Sequence, residues 1–129
     1  MNLKTIKETV EKTLSAQITF PQVVGILLQE GIESYHVDYV RSENRYYTSE
    51  GETHLEPVPH DFSAAALEFS AEDVRKTIKR VQAGEINYIE FSKEVLKAGC
   101  VYYIAYLKGK KVIYFGREGE FHIEEFPKK

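Results

Sequence analysis

The sequence predicts an α+β fold: a tandem duplication of one helix–helix–three-strand unit (ααβββ twice), with an antiparallel sheet covered by helices. Three observations carry this. The chain matches itself without gaps at an offset of 68 positions. Each half passes from a helical to an alternating apolar pattern. The connections between the alternating runs are short, which favours antiparallel neighbours. At that offset Phe20–Pro59 lies over Tyr88–Pro127, and ten of the forty pairs are identical, among them Gly31/Gly99, Tyr35/Tyr103, Tyr46/Tyr114, His54/His122 and Glu56/Glu124. Composition alone gives roughly two or three. The register continues upstream through Ile6/Val74, Thr9/Thr77 and Val10/Ile78. Residues 1–129 therefore read as one compact domain of two repeats, 1–59 and 69–127, joined by a linker over 60–68 in which the Ala64–Ala66 run suggests one helical turn.

Each element has a local cause. Leu3, Ile6, Val10 and Leu14 follow helical spacing, as do Ala71, Val74, Ile78 and Val81. Asn2 and Ser70 are suited to cap these helices, because a short side-chain oxygen accepts an orphan backbone N–H. The second helix of each half starts at Thr19, with Gln22 three residues on, and at Asn87, with Glu90 three residues on. These are capping-box spacings. Pro21 falls in a first turn, where no N–H is needed. Gly31 and Gly99 end these helices. Tyr35, Val37 and Tyr39 then alternate along a first strand, matched by Tyr103, Ala105 and Leu107. Turns at Ser42–Asn44 and Gly109–Lys110 lead into the second strands, and Glu50-Gly51 and Glu118-Gly119 into the third. The two halves are expected to pack about a pseudo-twofold axis, either as one six-stranded sheet or as two meanders face to face.

Bulk properties exclude several classes. Seventeen basic against twenty acidic residues give a net charge of −3, so nucleic acid is an unfavoured partner. Lys108, Lys110 and Lys111 read as a solvated hairpin tip. The single cysteine, Cys100, forms no internal disulfide and opens an apolar run, which suits a buried thiol in a reducing cytoplasm. No apolar run is long enough to cross a membrane or to act as a signal peptide. Phosphate-binding, nucleophile-elbow, paired-cysteine and zinc-protease motifs are absent, and no cofactor is implied.

The most repeated polar feature is Gly-Glu-x-His-apolar-Glu: Glu52, His54 and Glu56 in one half, Glu120, His122 and Glu124 in the other. On a strand each triplet shares a face. Two such strands brought together would offer two imidazoles and four carboxylates to a metal or to acid–base chemistry. An antiparallel strand with one wet face shows the same pattern. The first strands differ more sharply. One carries Ser34, His36 and Asp38 where the other carries Tyr102, Ile104 and Tyr106. His36 and Asp38 are spaced to pair as a base and its orienter. Tyr102 and Tyr106 would form a contact patch if exposed, or core asymmetry if the halves pack there.

The stretches Gly31–Tyr39, Gly51–His54, Gln82–Ile86, Ala98–Cys100 and Tyr114–Pro127 resemble an uncharacterised bacterial family of about this length, a domain of unknown function with some members labelled "phage envelope protein". The resemblance implies no activity, cofactor or catalytic residue. The expectation is a non-enzymatic cytoplasmic binding or protein-interaction module, self-associating or bound to another protein. A metal-dependent or acid–base enzyme on the paired Glu-x-His-x-Glu strands is the alternative.

Overall fold

The computed structural model describes residues 1–127. The elements run α1 (Leu3–Leu14), α2 (Phe20–Gln29), β1 (Ile32–Asp38), β2 (Glu43–Thr48), β3 (Thr53–Pro57), α3 (Ala71–Gln82), α4 (Tyr88–Lys97), β4 (Tyr102–Tyr106), β5 (Lys111–Phe115) and β6 (Phe121–Glu125). All six strands form one antiparallel sheet in the order β3-β2-β1-β4-β5-β6. Of the two packings open to the sequence, the continuous sheet is the one adopted. The first strands of the two halves sit side by side at its centre, and the third strands form its edges.

Local chemistry accounts for the helix ends. The Asn2 side chain accepts the Thr5 N–H, and Ser70 accepts the Asp73 N–H. Asn87 and Glu90 exchange backbone N–H bonds reciprocally, while Gln22 accepts the Thr19 N–H. These bonds satisfy donors that a first turn leaves without partners. The joining segment differs from expectation. β3 ends at Pro57 and α3 begins at Ala71, and no helical turn forms at Ala64–Ala66. The segment is instead held extended over the second half. Ala66 and Ser70 donate to the carbonyls of Leu96 and Ala98, and Arg117 donates to those of Ala65 and Ala66. Those bonds occupy backbone groups that a helix would have used internally.

The helices cover one face of the sheet. Tyr35, Val37 and Tyr39 of the β1 region, Tyr46 of β2, Tyr103 and Ala105 of β4, and Val112 and Tyr114 of β5 are buried there against Ile6, Leu27, Val74 and Val95. A shift of register between Ile32 and Ser34 lets Ile32 and Tyr35, three residues apart, both enter this core. Cys100 is fully buried beside it. The opposite face carries no helix.

Candidate functional site

The sheet order decides what the two Glu-x-His-x-Glu strands can do together. They are β3 and β6, at opposite edges. Five strand spacings of about 4.8 Å separate them by roughly 24 Å. His54 and His122 therefore share no pocket, and the joint metal or acid–base site of the alternative reading is not assembled. Among the described residues no group of three or more His, Cys, Asp or Glu side chains is placed to hold a metal ion.

Each edge instead carries a two-residue pair. His54 Nε2 lies 3.0 Å from Glu56 Oε1, and His122 Nε2 lies 3.1 Å from Glu124 Oε1. The first residue of each triplet is elsewhere: Glu52 is exposed, and Glu120 accepts the Glu118 N–H in the preceding turn. The facing of the strands also inverts the simplest expectation. Cross-strand pairing sets His54 beside Tyr46 and His122 beside Tyr114, so the histidines point to the helix-covered side. The rings follow: Tyr35, Tyr46 and His54 stack in sequence at 5.5 and 6.4 Å. Tyr103, Tyr114 and His122 follow one another in the same way at 5.3 and 6.4 Å, with their rings tilted by 41° and 32°. The helices reach the sheet margins only partly, so a histidine–glutamate pair is tolerated there, half-buried and mutually satisfied.

The tyrosines between these edges form a hydroxyl-lined interior. Tyr88 and Tyr103 share a hydrogen bond at 3.0 Å, as do Tyr39 and Ser92. Burial pushes the phenols of Tyr35, Tyr39, Tyr103 and Tyr114 well above their ordinary range, so they stay protonated.

The uncovered face is where the halves part company. On β1 and β2 it presents Ser34, His36, Asp38, Glu43, Arg45 and Tyr47. His36 packs against Tyr47, with ring centroids 4.9 Å apart. Partial burial, then nearby Arg45, lowers its pKa against an opposing pull from Asp38. Asp38 does not orient it as a base, because its Oδ1 accepts the Val40 and Arg41 N–H groups of the following turn. Glu43 is taken up by Arg41 and Arg45.

On β4, β5 and β6 the same face is apolar. Tyr102, Ile104 and Tyr106 stand beside Phe115, Ile113 and Lys111, which stand beside Phe121, Ile123 and Glu125. Tyr102 is 41% exposed, Phe121 59% and Ile123 45%. Tyr102 is thus surface rather than core, and Tyr106 is half-buried on the same uncovered face. Ile113, Phe115, Phe121 and Ile123 extend the patch beyond what the sequence suggested. The available signal was strand pairing: both hairpin turns could be placed, and pairing across them puts all these residues on one side.

Residues 62–125, which contain the whole α3–β6 half, match the model of a family described as protein of unknown function (DUF1398). No curated protein matches the chain. No helix among the described residues is long and apolar enough to cross a membrane.

Proposed function

We propose that the chain is a non-enzymatic interaction module that binds a second copy of itself through the open face of β4–β6. The observation that carries this is the unbroken apolar surface of Tyr102, Ile104, Tyr106, Ile113, Phe115, Phe121 and Ile123 on a sheet face without a helix. Taken at their exposures, these side chains present on the order of 400–500 Å². That is within the size of the largest apolar patch on an ordinary monomer, a patch that is often functional. Two copies would bury about 1,000 Å², the threshold of a specific interface, so a weak, concentration-dependent dimer is expected.

The layout favours a second copy because an isologous interface must match itself. A twofold axis along β5 sets β4 over the partner's β6. The Tyr102–Phe115–Phe121 and Ile104–Ile113–Ile123 rows then meet their own images. The charged ends, Lys111 and Glu125, fall at the rim. The polar half of the face, from Ser34 to Arg45, overhangs into solvent. Sheet-on-sheet packing of this kind brings the faces about 10 Å apart.

The same reading makes the protein one domain of two descended copies of a single unit. Supporting it, α1 and α3, α2 and α4, and β3 and β6 begin and end 68 positions apart. The positive-φ residues fall into pairs at that offset: Ala16 with Gly84, Gly31 with Gly99, Ser42 with Lys110, and Gly51 with Gly119. At the sheet centre His36 pairs with Ile104, its own equivalent, as a twofold relation requires. The single free thiol of Cys100 supports a reducing, cytoplasmic location.

Sedimentation across concentration tests the dimer. The wild-type mass should rise from 14.9 kDa toward twice that value, and Phe121→Lys with Ile123→Lys should hold it at the monomer with an unchanged circular dichroism spectrum. A wild-type chain that stays monomeric up to about 1 mM, or variants that associate equally well, would overturn the proposal.

A further inference from the structure

A cavity of about 230 Å³ opens on the helix side of the sheet, where β1 turns into β2. Its walls come from the ends of β1 and β2 beside their turn, the first two turns of α4, the segment Val58–Phe62 and Leu14 at the end of α1. The positions 68 residues away show why it is empty and what it is lined with. At the equivalent place in the other half, Phe20 and Phe126 fill the space edge to face, with ring centroids 5.5 Å apart. Here those positions are Tyr88 and Val58. The smaller Val58 leaves the volume. Four further exchanges add polarity: Tyr39 stands for Leu107, Asn44 for Val112, Ser92 for Val24, and Lys93 for Gly25. All four line the cavity. Tyr39 and Ser92 bond each other, Asn44 donates to Tyr46 and Lys93 is exposed, so the exchanges give this cavity a polar lining that the other half lacks without leaving a buried group unsatisfied.

We propose that this cavity binds a small one-ring aromatic ligand carrying a hydroxyl at its inner end and an anionic group at its mouth. The volume suits one ring, since a cavity of about 150 Å³ holds benzene. Phe62 and His60 supply a flat wall, stacked 4.4 Å apart. His60 is fixed for that role: its Nδ1 accepts the Phe62 N–H and its Nε2 donates to the Tyr39 carbonyl. At the floor the Tyr39 and Ser92 hydroxyls, 3.0 Å apart, use one proton between them. Tyr88, itself bonded to Tyr103, also hydrogen-bonds to this pair, and the three hydroxyls keep lone pairs that accept from a ligand hydroxyl. At the mouth Lys93 is exposed, its Nζ 5.9 Å from the Phe62 ring centre. Two carboxylates line the cavity as well: Glu43 is paired with two arginines, and Asp38 is held by the N–H groups of its turn but keeps its charge. Asp61 is exposed on the rim and limits the anionic preference without cancelling it.

The cavity lies on the opposite side of the sheet from the β4–β6 face, so it is tested separately from dimerisation. The probes are 4-hydroxybenzoate, benzoate and phenol, titrated into the full chain and followed by amide chemical shifts. The expected result is shifts clustered at Tyr39, Ser92 and Lys93, with 4-hydroxybenzoate the tightest, at a dissociation constant of about 1 mM or below. Ser92→Val should remove its advantage over benzoate. Lys93→Gln should weaken both acids severalfold and leave phenol unchanged. Val58→Phe, which installs the plug of the other half at a partly exposed position, should abolish binding of all three while the chain stays folded. If none of the probes shifts these residues at about 10 mM, or if folded Val58→Phe binds as well as wild type, the proposal fails.

Discussion

Gly31 and Gly99 hold equivalent places after α2 and α4, with φ angles of +80° and +91°, yet alanine should act very differently at the two. A Cβ at Gly31 meets nothing within 4 Å. Its cost is the left-handed backbone alone, about 1–2 kcal/mol. A Cβ at Gly99 would lie 2.2 Å from the Glu68 carbonyl oxygen and 2.7 Å from the Phe69 Cα. Both are backbone atoms, so the joining segment itself must move. That movement strains the Ala66–Leu96 and Ser70–Ala98 hydrogen bonds, which together contribute on the order of 2 kcal/mol. Gly99→Ala should therefore cost about 3–4 kcal/mol. For 129 residues, 1 kcal/mol corresponds to roughly 4 °C in Tm. Gly31→Ala should lower Tm by about 4–8 °C, and Gly99→Ala by about 12–16 °C. Urea and thermal unfolding followed by far-ultraviolet circular dichroism would measure both. Equal losses would refute the reasoning, because strain in φ is common to the two sites and the crossing segment is not.

Two further outcomes follow from buried titrating groups. Burial pushes the Cys100 thiol from 9.0 up to about 12, which cuts its thiolate fraction near pH 8 roughly a thousandfold. Ellman's reagent should be almost inert toward the native chain and react fully in denaturing urea; rapid native reaction would show the thiol exposed. His36 has its pKa lowered from 6.5, so between that lowered value and 6.5 the unfolded chain binds more protons than the folded one. Its contribution is fully present above 6.5, is lost as pH falls through the lowered value, and is flat below it. Urea midpoints of His36→Gln should show a shallower acid-side decline than wild type; parallel profiles would contradict the shift.

The helices were legible because their causes are local: spacing, caps and glycine stops lie within a few residues of one another. The strand runs and turns were legible for the same reason. The joining of β1 to β4 was not, because both strands are apolar on the helix side and no short turn connects them. The facing of β3 and β6 runs against their composition for an instructive reason. Leu55, Phe121 and Ile123 are the apolar members of their strands, and a two-sided sheet would bury them. This sheet has one covered side, and the tight turns force His54 opposite Tyr46 and His122 opposite Tyr114. Pairing thus overrides the hydrophobic preference of an edge strand. The Ala64–Ala66 run misled in a similar way, since its helix propensity is outweighed by the backbone partners waiting on α4 and Arg117.

The two halves run through the same order of elements, so, on the proposed duplication, the positions where they differ point to demands other than folding. Both halves keep the His–Glu pair and the tyrosine stack, which marks those as parts of the scaffold. Two of the differences bear on binding: the open face, more apolar over β4–β6 than over β1–β3, where Leu55 is exposed beside Arg45, and the helix-side cavity, more polar beside the β1–β2 turn. An unused face would be expected to drift toward polar residues, since exposed phenylalanine and isoleucine bring a risk of aggregation and no stability to a monomer. A void beside a core would be expected to fill, since each lost methylene contact costs about 1 kcal/mol. Phe121 and Ile123 on one side, and Val58 with Ser92 on the other, run against both expectations. Variants at these four positions therefore separate the requirements of binding from those of the fold.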